Sequence, residues 1–195
     1  MKRRIENPFL VSGYVLPEYF CDREDETNRL VDAFRNSTQT FPLGSIPIDS
    51  YFDFAVRHMK PSGITLSRQI FESIYSMFDC VTWYVQEILN RLYGFWSAED
   101  ADVAKATEGI VSENVYNFGN IVESLPSGYV RLLRAIAKEG YVCAVNVGEF
   151  IAKHWLKATS SVNGSLAKLR DAGLIEKTAR GYIVEDRFFG MWLAK

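Results

Sequence analysis

The sequence predicts a mainly α protein, a bundle of short helices followed by a helix-turn-helix with a small β-hairpin. Three observations carry that prediction. Apolar residues recur at helical spacing over most of the chain, most clearly at Val81, Tyr84, Val85, Ile88, Leu89 and Leu92. Proline, glycine and small polar residues interrupt that spacing often enough to give short helices with short links. Only near the C-terminus does the pattern turn to alternation, over residues 174–178 and 182–185 around Ala179-Arg180-Gly181.

The chain has 195 residues, enough for one or two small domains with a real core. A hydrophobic content of 48% excludes general disorder, and 14% aromatic residues point to apolar surface that expects a partner or a second copy. The net charge of −2 hides an asymmetry. Residues 1–127 carry 11 Lys and Arg against 18 Asp and Glu, whereas residues 128–195 carry 11 against 6. The second part is therefore basic and suited to an anionic partner. Cys21, Cys80 and Cys143 are odd in number and widely spaced, which fits a reduced, cytoplasmic protein. Neither a signal-peptide core nor an apolar run long enough to span a membrane is present, so no membrane partner is expected.

Three segments follow in order. Residues 1–40 form an irregular opening with Pro8, Gly13 and Pro17, then a helix capped by Asp22, with Glu24, Asp25 and Glu26 in its first turn and Leu30, Val31 and Phe34 on its apolar face. Residues 46–118 read as a helical bundle. Its helices span about 50–59 (Tyr51, Phe54, Ala55, His58), 66–78 (Leu66, Ile70, Ile74, Met77, Phe78), 82–93 and 98–113 (Val103, Ala106, Ile110, Val111). Residues 125–195 read as a winged helix. Ser127 can cap a helix with Tyr129, Leu132, Leu133 and Ile136 inward, ended by Gly140. Asn146 to Glu149 has capping-box spacing, with Val145 and Phe150 placed as a hydrophobic staple. The next helix puts Val162, Leu166 and Leu169 inward and stops at Gly173, and the hairpin closes the motif.

The chemistry of catalysis is missing from the pattern. There is no G-x-x-x-x-G-K-[ST] and no G-x-G-x-x-G; Gly44-Ser45 has no lysine after it. No apolar strand ends in paired acids that could hold magnesium. His58 and His154 each lie on a predicted helix with no Cys, Asp or Glu at metal-ligand spacing, and the acids at 22–26 are explained by helix capping. No catalytic residue, cofactor or metal is expected, and the chain is read as not an enzyme.

Nucleic-acid binding is the functional signal that remains. In a helix-turn-helix the recognition helix enters the major groove. With Val162, Leu166 and Leu169 inward, Ser160, Gly164 and Lys168 face out, flanked by Ser161 and Asn163. Lys157 precedes the helix and Arg180 occupies the wing tip. Lys168 is the one cation on that outward face, so duplex DNA binding is expected to be weak and salt-sensitive. The same surface can equally dock on a protein.

Several stretches resemble a known family. "NPF" and "SGYVLPEYFCDREDET", with the helix after them, are similar to the N-terminal opening of bacterial AAA+/STAND-type ATPases. "IPIDSYFDFAVRHM" and "FDCVTWYVQEILN" resemble that family's helical lid, and "SSVNGSLAKLRDAGLI" and "GYIVEDRFFGMWL" its C-terminal winged helix and closing segment. The resemblance covers nearly the whole chain. It implies a Walker A, Walker B and sensor core between the first helix and the lid, yet nothing of the kind fits between Asn36 and Phe41. It also implies that Tyr19, Phe20 and Arg23 match positions near the nucleotide base, and that Cys80 stands where the family has glycine. The resulting expectation is a non-catalytic remnant that binds DNA or protein through its winged helix. The alternatives are an ATPase whose core is supplied by another chain or was lost by recombination, and a remnant with no selected role.

Overall fold

The computed structural model describes residues 7–9 and 44–195. The helix expected after Asp22, and Tyr19, Phe20 and Arg23, lie outside the described residues. The chain divides into two compact units, Met1–Ala106 and Thr107–Lys195.

In the first unit, α1 spans Ile48–Met59, α2 Arg68–Met77 and α3 Thr82–Phe95; α4, Asp100–Glu113, contains the boundary between the units. A 3-10 turn at Lys60–Ser62 follows α1 and closes on Gly63 at φ 75°, in the left-handed region where glycine is free of strain. Ser67 caps α2 by accepting a hydrogen bond from Ile70 N. Tyr51, Phe54, Phe71, Ile74, Val85, Ile88, Leu89 and Leu92 form the core. The Tyr51 hydroxyl donates to Gln86 Oε1 at 2.9 Å, and that of Tyr75 to Ile46 O. Two inward expectations, Met77 and Val81, are corrected. Met77 is 42% and Val81 40% exposed, because α2 turns Phe71, Ile74 and Tyr75 inward and Val81 lies in the link before α3. His58 is half-buried against Phe54 as its place on the stripe implies, and Met59, outside the expected stripe, is fully buried on α1.

The "NPF" stretch is anchored on α3. Phe9 is fully buried, edge-on to Phe54 and Tyr93. Asn7 Nδ2 donates to Asn90 O at 2.9 Å, and Asn90 Nδ2 donates to Phe9 O at 2.6 Å. The reciprocal pair gives the carbonyl of the buried Phe9 a partner and ties the stretch to the helix.

The second unit contains α5 (Val115–Glu123), α6 (Ser127–Glu139), α7 (Gly148–Lys153), α8 (Thr159–Asp171), β1 (Ile175–Thr178), β2 (Gly181–Val184) and α9 (Arg187–Ala194). The strands pair antiparallel in the register Ile175 to Val184 and Thr178 to Gly181. Val142, between α6 and α7, adds a bridge to Tyr182. Two helices were not anticipated. Neither Gly119 nor the β-branched Val115, Ile121 and Val122 in α5 advertises a helix; packing of Phe118 on Phe189 and Trp192 stabilises it. At α9 the signal was present: Asp186 accepts hydrogen bonds from Phe188 N and Phe189 N as an N-cap. Two caps are also corrected. Pro126, not Ser127, precedes α6, and Val147 precedes α7 with no side-chain cap, so the box at 146–149 does not form. Val145 and Phe150 are nevertheless both buried.

Candidate nucleic-acid interface

Helix α8 is held from beneath. Val162, Leu166 and Leu169 are buried, as is Ser165, whose hydroxyl donates to Ser161 O at 2.9 Å. Its end is a Schellman turn: Leu174 N donates to Leu169 O and Gly173 N to Arg170 O, both at 2.9 Å, with Gly173 at φ 67°. This stop fixes where the helix ends and the wing begins.

Lys157, Ser160, Ser161, Asn163, Lys168 and Arg180 are all exposed. Ser160, Gly164 and Lys168 share one ridge of α8 at four-residue spacing, and Asp171 lies three residues beyond Lys168 on the same side. Lys157 and Ser161 line a shallow depression of about 30 Å³ together with Ser127 and Arg131 of α6. Arg180 is placed differently. Its guanidinium lies 3.9 Å above the Tyr141 ring, its backbone N–H donates to Thr178 Oγ1, and its carbonyl accepts from Cys143 Sγ. The wing tip is thus clamped against the segment carrying Val142. The clamp depends on Gly181 (φ 130°), where a Cβ would lie 2.7 Å from the Val142 carbonyl.

The main basic surface lies elsewhere. Arg131, Arg134 and Lys138 are exposed on the outward face of α6, opposite the buried Leu132, Leu133 and Ile136. They line a cleft of about 600 Å³ whose apolar wall includes Val122, Leu125, Val130 and Trp155, with Glu123 as the one acid in its lining. The cleft and the smaller depression share Ser127 and Arg131. A band of cations therefore continues from Lys138 to Lys157. Arg131 Nη1 donates to Trp155 O at 3.0 Å; Arg134 and Lys138 engage no carboxylate among the described residues. Beside this band Glu139 accepts from Lys153 Nζ and from His154 Nε2, each at 2.7 Å. The Lys153 hydrogen bond, then that of His154, holds the Glu139 carboxyl below the usual glutamate range. The signal for this surface is legible in the sequence as cations at i, i+3 and i+7 opposite an apolar stripe.

His58 lies tilted against Phe54 and edge-on to Phe9, and His154 rests on Phe150 as well as pairing with Glu139. Among the described residues no group of three His, Cys, Asp or Glu side chains is placed to hold a metal. No helix among them is long and apolar enough to cross a membrane.

Three helices, the bridge at Val142 and a clamped hairpin stand in the order of a winged helix, and residues 116–195 match the family model described as "Probable winged helix domain". The chain carries a winged helix domain. A solved Walker-type ATPase of Pyrococcus abyssi is similar in fold, with a TM-score of 0.56 at 15% identity. That match covers 77% of this chain and 43% of the ATPase, so this chain spans less than half of that protein. No curated protein matches the sequence.

Proposed function

We propose that this protein is a non-catalytic relative of Walker-type ATPases that acts through its winged helix, with the exposed ridge of α8 docking weakly on duplex DNA. The observation that carries the reading is that ridge. Ser160, Gly164 and Lys168 stand on a helix whose opposite face is buried, and small residues let the backbone approach a groove closely. Lys157 and Arg180 would contact phosphates on either side. Affinity should sit around 10⁻⁴–10⁻⁶ M at physiological salt, because few cations face the DNA.

The test is fluorescence anisotropy of the full chain with a labelled duplex at about 50 mM salt. Binding that weakens as salt rises, and that falls on Lys168→Glu with Arg180→Glu while circular dichroism is unchanged, supports the reading. Absence of binding, or a double variant that binds like the parent, assigns this face to a protein partner. The presence of Asp171 on the ridge and the engagement of Arg180 by Tyr141 favour that second reading.

The chain lacks the sequence elements that hold magnesium and the γ-phosphate, so no ATP turnover above background is expected. Turnover that a substitution in this chain abolishes would overturn this part. Similarity to less than half of an ATPase also leaves room for a core supplied by another chain. A thermal shift with ATP and magnesium that appears only after such a chain is added would favour that alternative.

A further inference from the structure

The α6 cleft combines features that the α8 ridge lacks. Its three cations span about 10 Å of helix at 1.5 Å per residue, and Lys157 extends the band. Against them stands Trp155, 82% exposed and at φ 46°. It occupies the left-handed position of the turn that ends α7, with Trp155 N donating to Ala152 O and Leu156 N to Ile151 O. Glycine is the residue that tolerates such a position without strain. The strained backbone of Trp155 is costly to the fold and its carbonyl is tied to Arg131, while the large ring stands exposed beside the cations.

We propose that the α6 cleft binds single-stranded nucleic acid, with phosphates on Arg131, Arg134, Lys138 and Lys157 and a base stacked on Trp155. Cations that track a backbone beside an aromatic face are the two elements of single-strand recognition. Arginine adds bidentate phosphate contacts, and the flat indole accepts any base. An acidic peptide would satisfy the cations but not the exposed ring. The continuity of the two depressions through Ser127 and Arg131 suits a strand better than a single nucleotide. The site shares Lys157 with the α8 reading but none of its other contacts, so variants at Lys168 and Arg180 on one side and at Arg134, Lys138 and Trp155 on the other tell the two apart.

The experiment is anisotropy of fluorescein-labelled oligo(dT) of about 15 nucleotides with the full chain. Trp155→Gly removes the ring while relieving the turn, so its melting temperature should not fall below the parent's. Binding should weaken roughly tenfold. Arg134→Gln with Lys138→Gln should lower the slope of log K against log salt by about 1.4, at about 0.7 per neutralised phosphate. Lys168→Glu with Arg180→Glu should leave oligo(dT) binding within about twofold of the parent. Parental affinity in the Trp155→Gly variant overturns the proposal. So does competition by thymidine monophosphate at the same molar concentration as the strand, and so does equal competition by oligoglutamate of matched charge, which would assign the cleft to an acidic protein segment.

Discussion

Helices α6 and α8 are built alike on the inside and differently on the outside. Each has 13 residues and buries an apolar stripe in the winged helix unit, Leu132, Leu133 and Ile136 on one and Val162, Leu166 and Leu169 on the other. Outward, α8 presents serine, glycine and asparagine, with Lys168 and Arg170 beside Asp171 only in its last turn, whereas α6 presents Arg131, Arg134 and Lys138 along its length. The comparison teaches that a helix's position in a named motif and its capacity for anions are separate properties. Position follows from the buried stripe, and charge from residues the fold does not need.

The strongest way to break the comparison is to attack the shared interior. Leu133→Ala and Leu169→Ala, both at fully buried positions, should each cost about 3 kcal/mol, read as a lower melting temperature. A large difference between the two would show that the helices are not equivalent supports.

The wing offers the next effect. Gly181→Ala drives a methyl group against the Val142 carbonyl, with a backbone already at φ 130°, and should cost about 2 kcal/mol. It should also loosen the Arg180–Tyr141 contact, so a substitution that leaves stability unchanged would deny the clamp.

Opposite in sign are the turns where glycine is missing. Trp155→Gly and Cys80→Gly, at φ 46° and 63°, should each stabilise the protein by about 1 kcal/mol in denaturant titration. Cys80 follows Asp79, itself at φ 53°, so two successive residues occupy the left-handed region in the link from α2 to α3. Chemical denaturation that shows either variant less stable would mean that its side chain makes contacts outweighing the strain.

The smallest effect separates α6 from α8 by pH. Glu139, at the end of α6, has its proton affinity lowered by Lys153 and then His154. Its contribution is therefore complete above the ordinary glutamate value of 4.5 and is lost as pH falls through the depressed value. Glu139→Gln should reduce stability at neutral pH and converge with the parent in acid, whereas a variant on the outer face of α8 should show no such convergence. Parallel acid-unfolding curves for Glu139→Gln and the parent would remove the coupling.

Much of this was legible from residues alone. Helical spacing located α1 to α4, α6 and α8, and Gly173 and the alternation around Arg180 located the end of α8 and the wing, because these signals act within a few residues of themselves. The inward set Val162, Leu166 and Leu169 was determined in the same way. The exposure of Ser160, Ser161, Asn163, Gly164 and Lys168 was legible too, as the face opposite the apolar stripe, whereas the burial of Ser165 was not.

What only the tertiary structure decided are the properties that depend on residues far apart in sequence. Helix α5 is set by Phe118 against Phe189 and Trp192, and Phe9 by Asn90 some eighty positions away. Arg180 turned from a free tip to a clamped one because Tyr141 lies beneath it, and His154 acquired Glu139 as a partner. The α6 cleft needed both kinds of information. Its cations are written at helical spacing, but the wall opposite them, and the strained turn that presents Trp155, exist only once α7 has packed, because a pocket is a relation between surfaces and no single segment encodes it.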